Sequence, residues 1–195
     1  MSDTTGKALP EVLGSEEIYR GHIFQVAVDT VREDGTTYKR DVVRHAGGAS
    51  VLPVFADGTV ALVRQYRHPA ARYVLEIPAG RLEAGERPED CAVREMEEEL
   101  GLVAGRVEPL SEFFTTPGFC SEKLWVFLAT GLRETRQRLD ADEFVEIVRL
   151  PFARALEMIG TREIEDAKTI IALLLAAPRL NAETDGSDAA PEVKS

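Results

Sequence analysis

Gly80–Arg81–Leu82–Glu83–Ala84–Gly85–Glu86–Arg87–Pro88–Glu89–Asp90–Cys91–Ala92–Val93–Arg94–Glu95–Met96–Glu97–Glu98–Glu99–Leu100–Gly101–Leu102 is the stretch on which the reading of this chain turns. It is a glycine-bounded loop that feeds a short helix. Pro88 suits the first helical turn, where its missing N–H has no partner to lose. Glu89 and Asp90 place negative charge at the positive end of the helix dipole. Gly101 stands where a left-handed cap is expected. Cys91, Ala92, Met96 and Leu100 can form a packed face. Glu95, Glu98 and Glu99 stand at i, i+3 and i+4, so their carboxylates gather beside it. Such a run is either a solvated acidic face or a site where a divalent cation relieves the repulsion.

Loop and helix together fit the pattern Gly-x5-Glu-x7-Arg-Glu-apolar-x-Glu-Glu-x-Gly-apolar at every fixed position. That pattern resembles the signature box of the Nudix hydrolases. The resemblance implies metal binding by Glu95, Glu98 and Glu99, with the backbone carbonyl of Ala79 as a further ligand. It implies an orienting, partly structural role for Glu86 and Arg94, and backbone-geometry roles for Gly80 and Gly101. The cation implied is Mg²⁺, with Mn²⁺ as the alternative.

Outward from the box, apolar runs and turn signals alternate. Strands are expected at 18–31, 37–44, 49–55, 59–66, 73–77, 107–115, 124–130 and 144–150. Asp34-Gly35 and Asp57-Gly58 mark hairpin turns. Helical periodicity covers 152–159 and 166–177. This is an α/β chain, and the resemblance implies the Nudix α/β/α sandwich with a mixed sheet. The boundaries read as a flexible lead-in at 1–14, a small N-terminal β-unit at 15–46, the Nudix domain at 47–178 and a disordered tail at 179–195. The β-unit is too thin to stand alone and should pack on the main domain or on a partner copy.

Gln65-Tyr66-Arg67, the segment Leu75-Glu76-Ile77-Pro78-Ala79-Gly80 and Thr115-Thr116-Pro117-Gly118-Phe119 extend the likeness. They resemble the ADP-ribose pyrophosphatase branch, in which a proline follows the last box glycine at the spacing of Pro117 from Gly101. Enzymes acting on GDP-mannose share much of this. The branch implies a homodimer in which the β-unit completes a shared substrate site. Arg67 presents a planar fork to a diphosphate or forms a surface salt bridge. Arg64 is a further candidate for phosphate. Glu76 faces the site or completes a buried ion pair. Pro117, Gly118 and Phe119 are candidates for a substrate pocket, and Tyr66 is expected in the core.

A water attacking phosphorus needs a base within hydrogen-bonding reach. Relatives often take it from an acidic loop, here residues 139–144. Many relatives carry a glutamate at the position of Ala141, so Glu143, as base or metal ligand, and Glu98 share the candidacy.

The formal charge of −11 argues against a nucleic-acid binder, which needs a basic face. No apolar run approaches the ~20 residues of a membrane span. The polar start lacks the pattern of a secretory leader. Cys91 and Cys120 fit free thiols in a reducing compartment, so the cytoplasm is expected. No His-Glu-x-x-His, Gly-x-Ser-x-Gly or P-loop is present. The expected activity is hydrolysis of a nucleoside-diphosphate sugar, ADP-ribose first and GDP-mannose as the alternative. A non-catalytic Nudix-fold ligand sensor is the rival, and such proteins usually lose box glutamates that this chain keeps.

Overall fold

The computed structural model describes residues 8–139 and 143–187, with side chains through residue 181. The chain divides into two compact units.

The first unit holds the residues up to Gly47 together with Phe113–Lys123. Its core is an antiparallel meander of β1 (Glu11–Arg20), β2 (Phe24–Glu33) and β3 (Thr36–His45). Positive φ at Asp34 and Gly35 makes the two-residue turn between β2 and β3, as Asp-Gly predicts. The strand expected over 18–31 is two strands, broken where the Gly21 N–H donates to the Phe24 carbonyl at 3.0 Å. β1 therefore begins at Glu11, inside the stretch read as a flexible lead-in. Val12, Leu13, Ile18 and Tyr19 are the apolar residues that should have extended it. Arg44 on β3 ties the meander together, donating to Asp29 at 2.7 and 3.0 Å and to Ser15 at 3.0 Å. The 113–123 loop joins β3 through Val43 N–H to Phe119 O (2.7 Å) and Ser121 N–H to Val43 O (2.9 Å).

The second unit is built on β4 (Gly48–Pro53), β5 (Thr59–Arg67), β6 (Arg72–Glu76), β7 (Ala79–Arg81), α1 (Pro88–Leu100), β8 (Leu102–Val103), β9 (Arg106–Phe114), β10 (Lys123–Thr130), β11 (Arg133–Glu134), β12 (Val145–Pro151), α2 (Phe152–Gly160) and α3 (Ala167–Ser187). The strand orders are β7-β4-β10-β9, β12-β5-β6 and β11-β8. β4 and β10 run parallel, while β4–β7 and β12–β5–β6 are antiparallel, so the sheet is mixed. All six residues of β4 are buried, which a strand shows only when both faces are covered. Ala49 and Val51 pack with Cys91, Ala92, Met96 and Leu100 of α1, and α3 packs against β4 as well. The Asp57-Gly58 turn leads into β5 with positive φ at Gly58.

α3 is longer than its periodicity implied. The expected span is 166–177, yet the helix runs to Ser187 with Pro178 inside it. The Arg179 guanidinium donates to the Pro109 carbonyl at 3.1 Å and holds the turn beyond the proline. Residues 179–187 therefore belong to a helix rather than to a disordered tail, and 188–195 lie outside the described residues. Among the described residues, no helix is long and apolar enough to cross a membrane.

Candidate active site

The box forms the loop and helix that its residues dictate. Pro88 opens α1, Glu89 and Asp90 occupy its first turn, and Gly101 caps it at φ 63° and ψ 41°. A side chain on Gly101 would be doubly penalised, because its Cβ would fall 2.7 Å from the Gln137 nitrogen. In the preceding loop, Glu83 N–H donates to the Glu86 carboxylate at 2.9 Å and Gly85 supplies a left-handed turn.

Arg94 is the hub of the cluster. Its guanidinium donates to Glu86 at 2.9 and 3.2 Å, to Glu95 at 2.7 Å and to Glu98 at 2.9 Å. A bidentate pair plus two further charge-assisted bonds fixes the fork in one plane. Glu86 is held below the usual carboxylate range, chiefly by Arg94. Burial pushes Glu95 up despite Arg94. The Cys91 thiol beside them is pushed up to about 12 by burial and then by Glu86 and Glu95, which makes it inert as a nucleophile.

Glu99 is the anomaly. It is 3% exposed, and its Oε2 has no hydrogen-bond partner among the described residues. Burial, then the charges of Glu95 and Glu143, push it up to about 8, against a hydrogen bond from the Ala79 backbone. An ionised carboxylate without a partner in the interior is costly. Gly80 is cut to fit its neighbour: a Cβ there would fall 1.6 Å from Glu95 Oε1. Glu95 thus lies against Gly80 and Glu99 against the Ala79 backbone, and Glu143 adds its field. Carboxylates and a carbonyl suit a hard cation such as Mg²⁺ or Mn²⁺. As the side chains stand, no three acids among the described residues converge on one point. Arg94 takes up oxygens of both Glu95 and Glu98.

A second network lies on the same unit. Arg67, the last residue of β5, donates through Nε and Nη2 to Glu76 at 2.7 and 2.9 Å. Glu76 is 2% exposed and also receives the Lys168 ammonium. Burial pushes Glu76 up, but Arg67 and Lys168 outweigh it and hold the carboxyl below its usual range. Of the two readings left open for Glu76, the structure shows the buried ion pair. Arg64 pairs with Glu146 at 3.8 Å and joins neither network. Tyr66 is not in the core. It is 47% exposed and packs edge-on against Tyr73, since a residue one step before Arg67 on β5 faces the opposite side.

Pro117, Gly118 and Phe119 belong to the first unit, in a turn where Phe119 N–H and Cys120 N–H both donate to Thr116 O. In the acidic loop, Asp140, Ala141 and Asp142 lie outside the described residues.

Sequence reasoning passed over Lys168. A cation in the first turn of a helix opposes the dipole, and that local conflict in Asp166-Ala167-Lys168-Thr169 was the available signal.

Residues 44–173 match the NUDIX domain model, and the chain belongs to this family, whose members generally use a divalent metal. The chain is 41% identical over 171 residues to an ADP-ribose pyrophosphatase of Bacillus subtilis (strain 168), covering 86% of this chain and 92% of that protein. It is 36% identical over 165 residues to a GDP-mannose pyrophosphatase of Escherichia coli O157:H7, covering 77% and 85%. A crystal structure of an ADP compounds hydrolase superposes with a TM-score of 0.79 at 25% identity, covering 91% of this chain and 98% of that one.

Proposed function

We propose that this chain hydrolyses the diphosphate of ADP-ribose to AMP and ribose 5-phosphate with Mg²⁺. The observation that carries the chemistry is the buried Glu99 carboxylate, which accepts from the Ala79 backbone, feels the charge of Glu95 and has an Oε2 without a partner among the described residues. The residues that would hold the metal are Glu95, Glu98, Glu99 and the Ala79 carbonyl, with Glu143 as a further ligand where Glu98 is the base. Mn²⁺ satisfies the same oxygen set. What such an ion supplies is neutralisation of the diphosphate and acidification of a water. The chain's own part is positioning and proton transfer. Arg94 and Glu86 orient the box carboxylates. Arg67 presents its guanidinium to a phosphate. Glu143 takes the proton of the attacking water, with Glu98 as the second candidate.

ADP-ribose is favoured because the Bacillus subtilis relative matches over most of both chains. The Escherichia coli relative keeps GDP-mannose as the second reading. Discrimination is a ratio of kcat/KM values set by hydrogen bonds outside the box. A panel at equal low concentration in Mg²⁺ should show ADP-ribose ahead of GDP-mannose, NADH and diadenosine polyphosphates by at least ~10-fold, about 1.4 kcal/mol. A lead for GDP-mannose leaves the chemistry and overturns the substrate.

A homodimer built on the first unit is part of the proposal. All ten residues of β1 are exposed, it is the edge of its sheet, and Val12, Leu13, Ile18 and Tyr19 lie on it. An exposed edge strand that carries apolar side chains is a template for pairing. Light scattering should give twice the 21.5 kDa chain mass. A monomer with normal turnover at micromolar concentration contradicts this. A cytoplasmic site of action fits the free thiols Cys91 and Cys120. Recovery of the native protein in a secreted fraction would count against it.

A further inference from the structure

The first turn of α3 carries a buried lysine where the helix dipole disfavours one. Lys168 is 9% exposed, and its ammonium reaches Glu76 and, at 3.0 Å, Asp166 Oδ1. Asp166 caps the helix, its Oδ2 accepting Thr169 N–H at 2.9 Å and the Thr169 hydroxyl at 2.6 Å. That hydroxyl in turn accepts the Ile77 backbone N–H at 2.8 Å. Two separate contacts therefore run from this turn to the strand leading into the box. One holds the Glu76 carboxylate, the other the backbone of the next residue. Pro78, which follows, accepts the Val51 N–H at its carbonyl at 3.1 Å.

The charges form a closed set: Arg67 and Lys168 against Glu76 and Asp166. Lys168, Glu76 and Asp166 are buried or half-buried, while the Arg67 side chain keeps 41% of its surface. Nε and Nη2 of Arg67 are committed to Glu76, so Nη1 is the end left for a ligand among the described contacts. A guanidinium pinned along one edge shows the other in a fixed direction, and pinning before binding reduces the ordering cost of binding.

We propose that Lys168 is a positioning residue: it locks Glu76, Glu76 locks Arg67, and Arg67 thereby meets the substrate diphosphate already oriented. This rests on the reading of Arg67 as a phosphate contact. The ammonium itself does not touch the reacting atoms. It supplies a second cation on Glu76 Oε2, the oxygen that Arg67 Nη2 also bonds, and so stiffens the bidentate pair. Asp166 keeps the lysine from competing for Arg67's place, and Thr169 keeps Ile77 in register with it.

Lys168→Met keeps the unbranched side chain up to one atom short of the ammonium and removes the charge, while Glu76 retains Arg67 and Asp166 retains Thr169, so the fold should survive. The variant should raise KM for ADP-ribose by ~10-fold with kcat within ~3-fold, the pattern of lost binding rather than lost chemistry. Lys168→Arg should restore KM. In an Arg67→Gln background, Lys168→Met should add less than ~2-fold, because residues acting through one another are not additive. The Arg67 Nε–H resonance, protected by Glu76, should exchange with water at least ~10-fold faster in Lys168→Met. An unchanged KM with unchanged exchange overturns the proposal, as does a full additional loss in the Arg67→Gln background. If the wild-type protein does not turn over ADP-ribose, the proposed function falls. The exchange rate then decides alone whether Lys168 holds Arg67.

Discussion

Glu99→Gln is expected to cut kcat/KM for ADP-ribose by ~100-fold or more, about 3 kcal/mol of barrier, without lowering the melting temperature. The two halves of that expectation come from one environment. Glu99 is buried, carries an unpartnered oxygen and stands in the fields of Glu95 and Glu143. Replacing the carboxylate by an amide relieves burial of charge and repulsion, and the amide oxygen can still accept the Ala79 backbone hydrogen bond. If the same oxygen is a cation ligand, the chemistry has much to lose. Activity and stability measured on one preparation separate the cases. A variant that melts lower and stays active marks Glu99 as a structural group. A variant that melts no lower and is inactive marks it as part of the metal site.

Gly80→Ala should be almost as damaging through a single methyl group. Its Cβ would overlap the Glu95 carboxylate, with Oε1 at 1.6 Å and Cδ at 1.9 Å. The Glu95 side chain is the end of a flexible arm, but it is buried and bonded to Arg94, so it moves only by abandoning its place. β7 itself can accept alanine, since Gly80 pairs with Ala49 in an ordinary antiparallel register. We expect a ~30- to 100-fold loss in kcat/KM, against an overpacking cost of about 1–3 kcal/mol in stability. Full activity in Gly80→Ala would mean that the Glu95 carboxylate is not needed where it sits. The glycine of the box would then serve the turn alone.

The box was legible because each of its residues answers a local requirement. Pro88 opens a helix, Gly101 closes it, and three glutamates at i, i+3 and i+4 share a face. Elements set by distant contacts were harder to read. β7, β8 and β11 are two or three residues long and exist only through their partners β4, β11 and β8. β1 was shortened because residues 1–14 were read together as a polar lead-in, although Val12 and Leu13 lie within them. α3 passes Pro178 because Arg179 reaches a carbonyl 70 residues earlier in the chain. The same limit applies to the site. The sequence could name Arg67 and Glu76, but it left open whether they face a ligand or each other. Their bidentate pair is a tertiary fact. Lys168 lies 92 residues from Glu76, and no periodicity connects them. Tyr66 was misplaced because strand alternation was not carried through from Arg67.

The most direct test of the account is the initial rate of ADP-ribose cleavage by the wild-type protein, with products identified, in Mg²⁺ and in excess EDTA. AMP and ribose 5-phosphate are expected in equal amounts, with loss of the reaction in EDTA and its return when Mg²⁺ is restored. Absence of AMP release with either Mg²⁺ or Mn²⁺, or release that persists in EDTA, would contradict it.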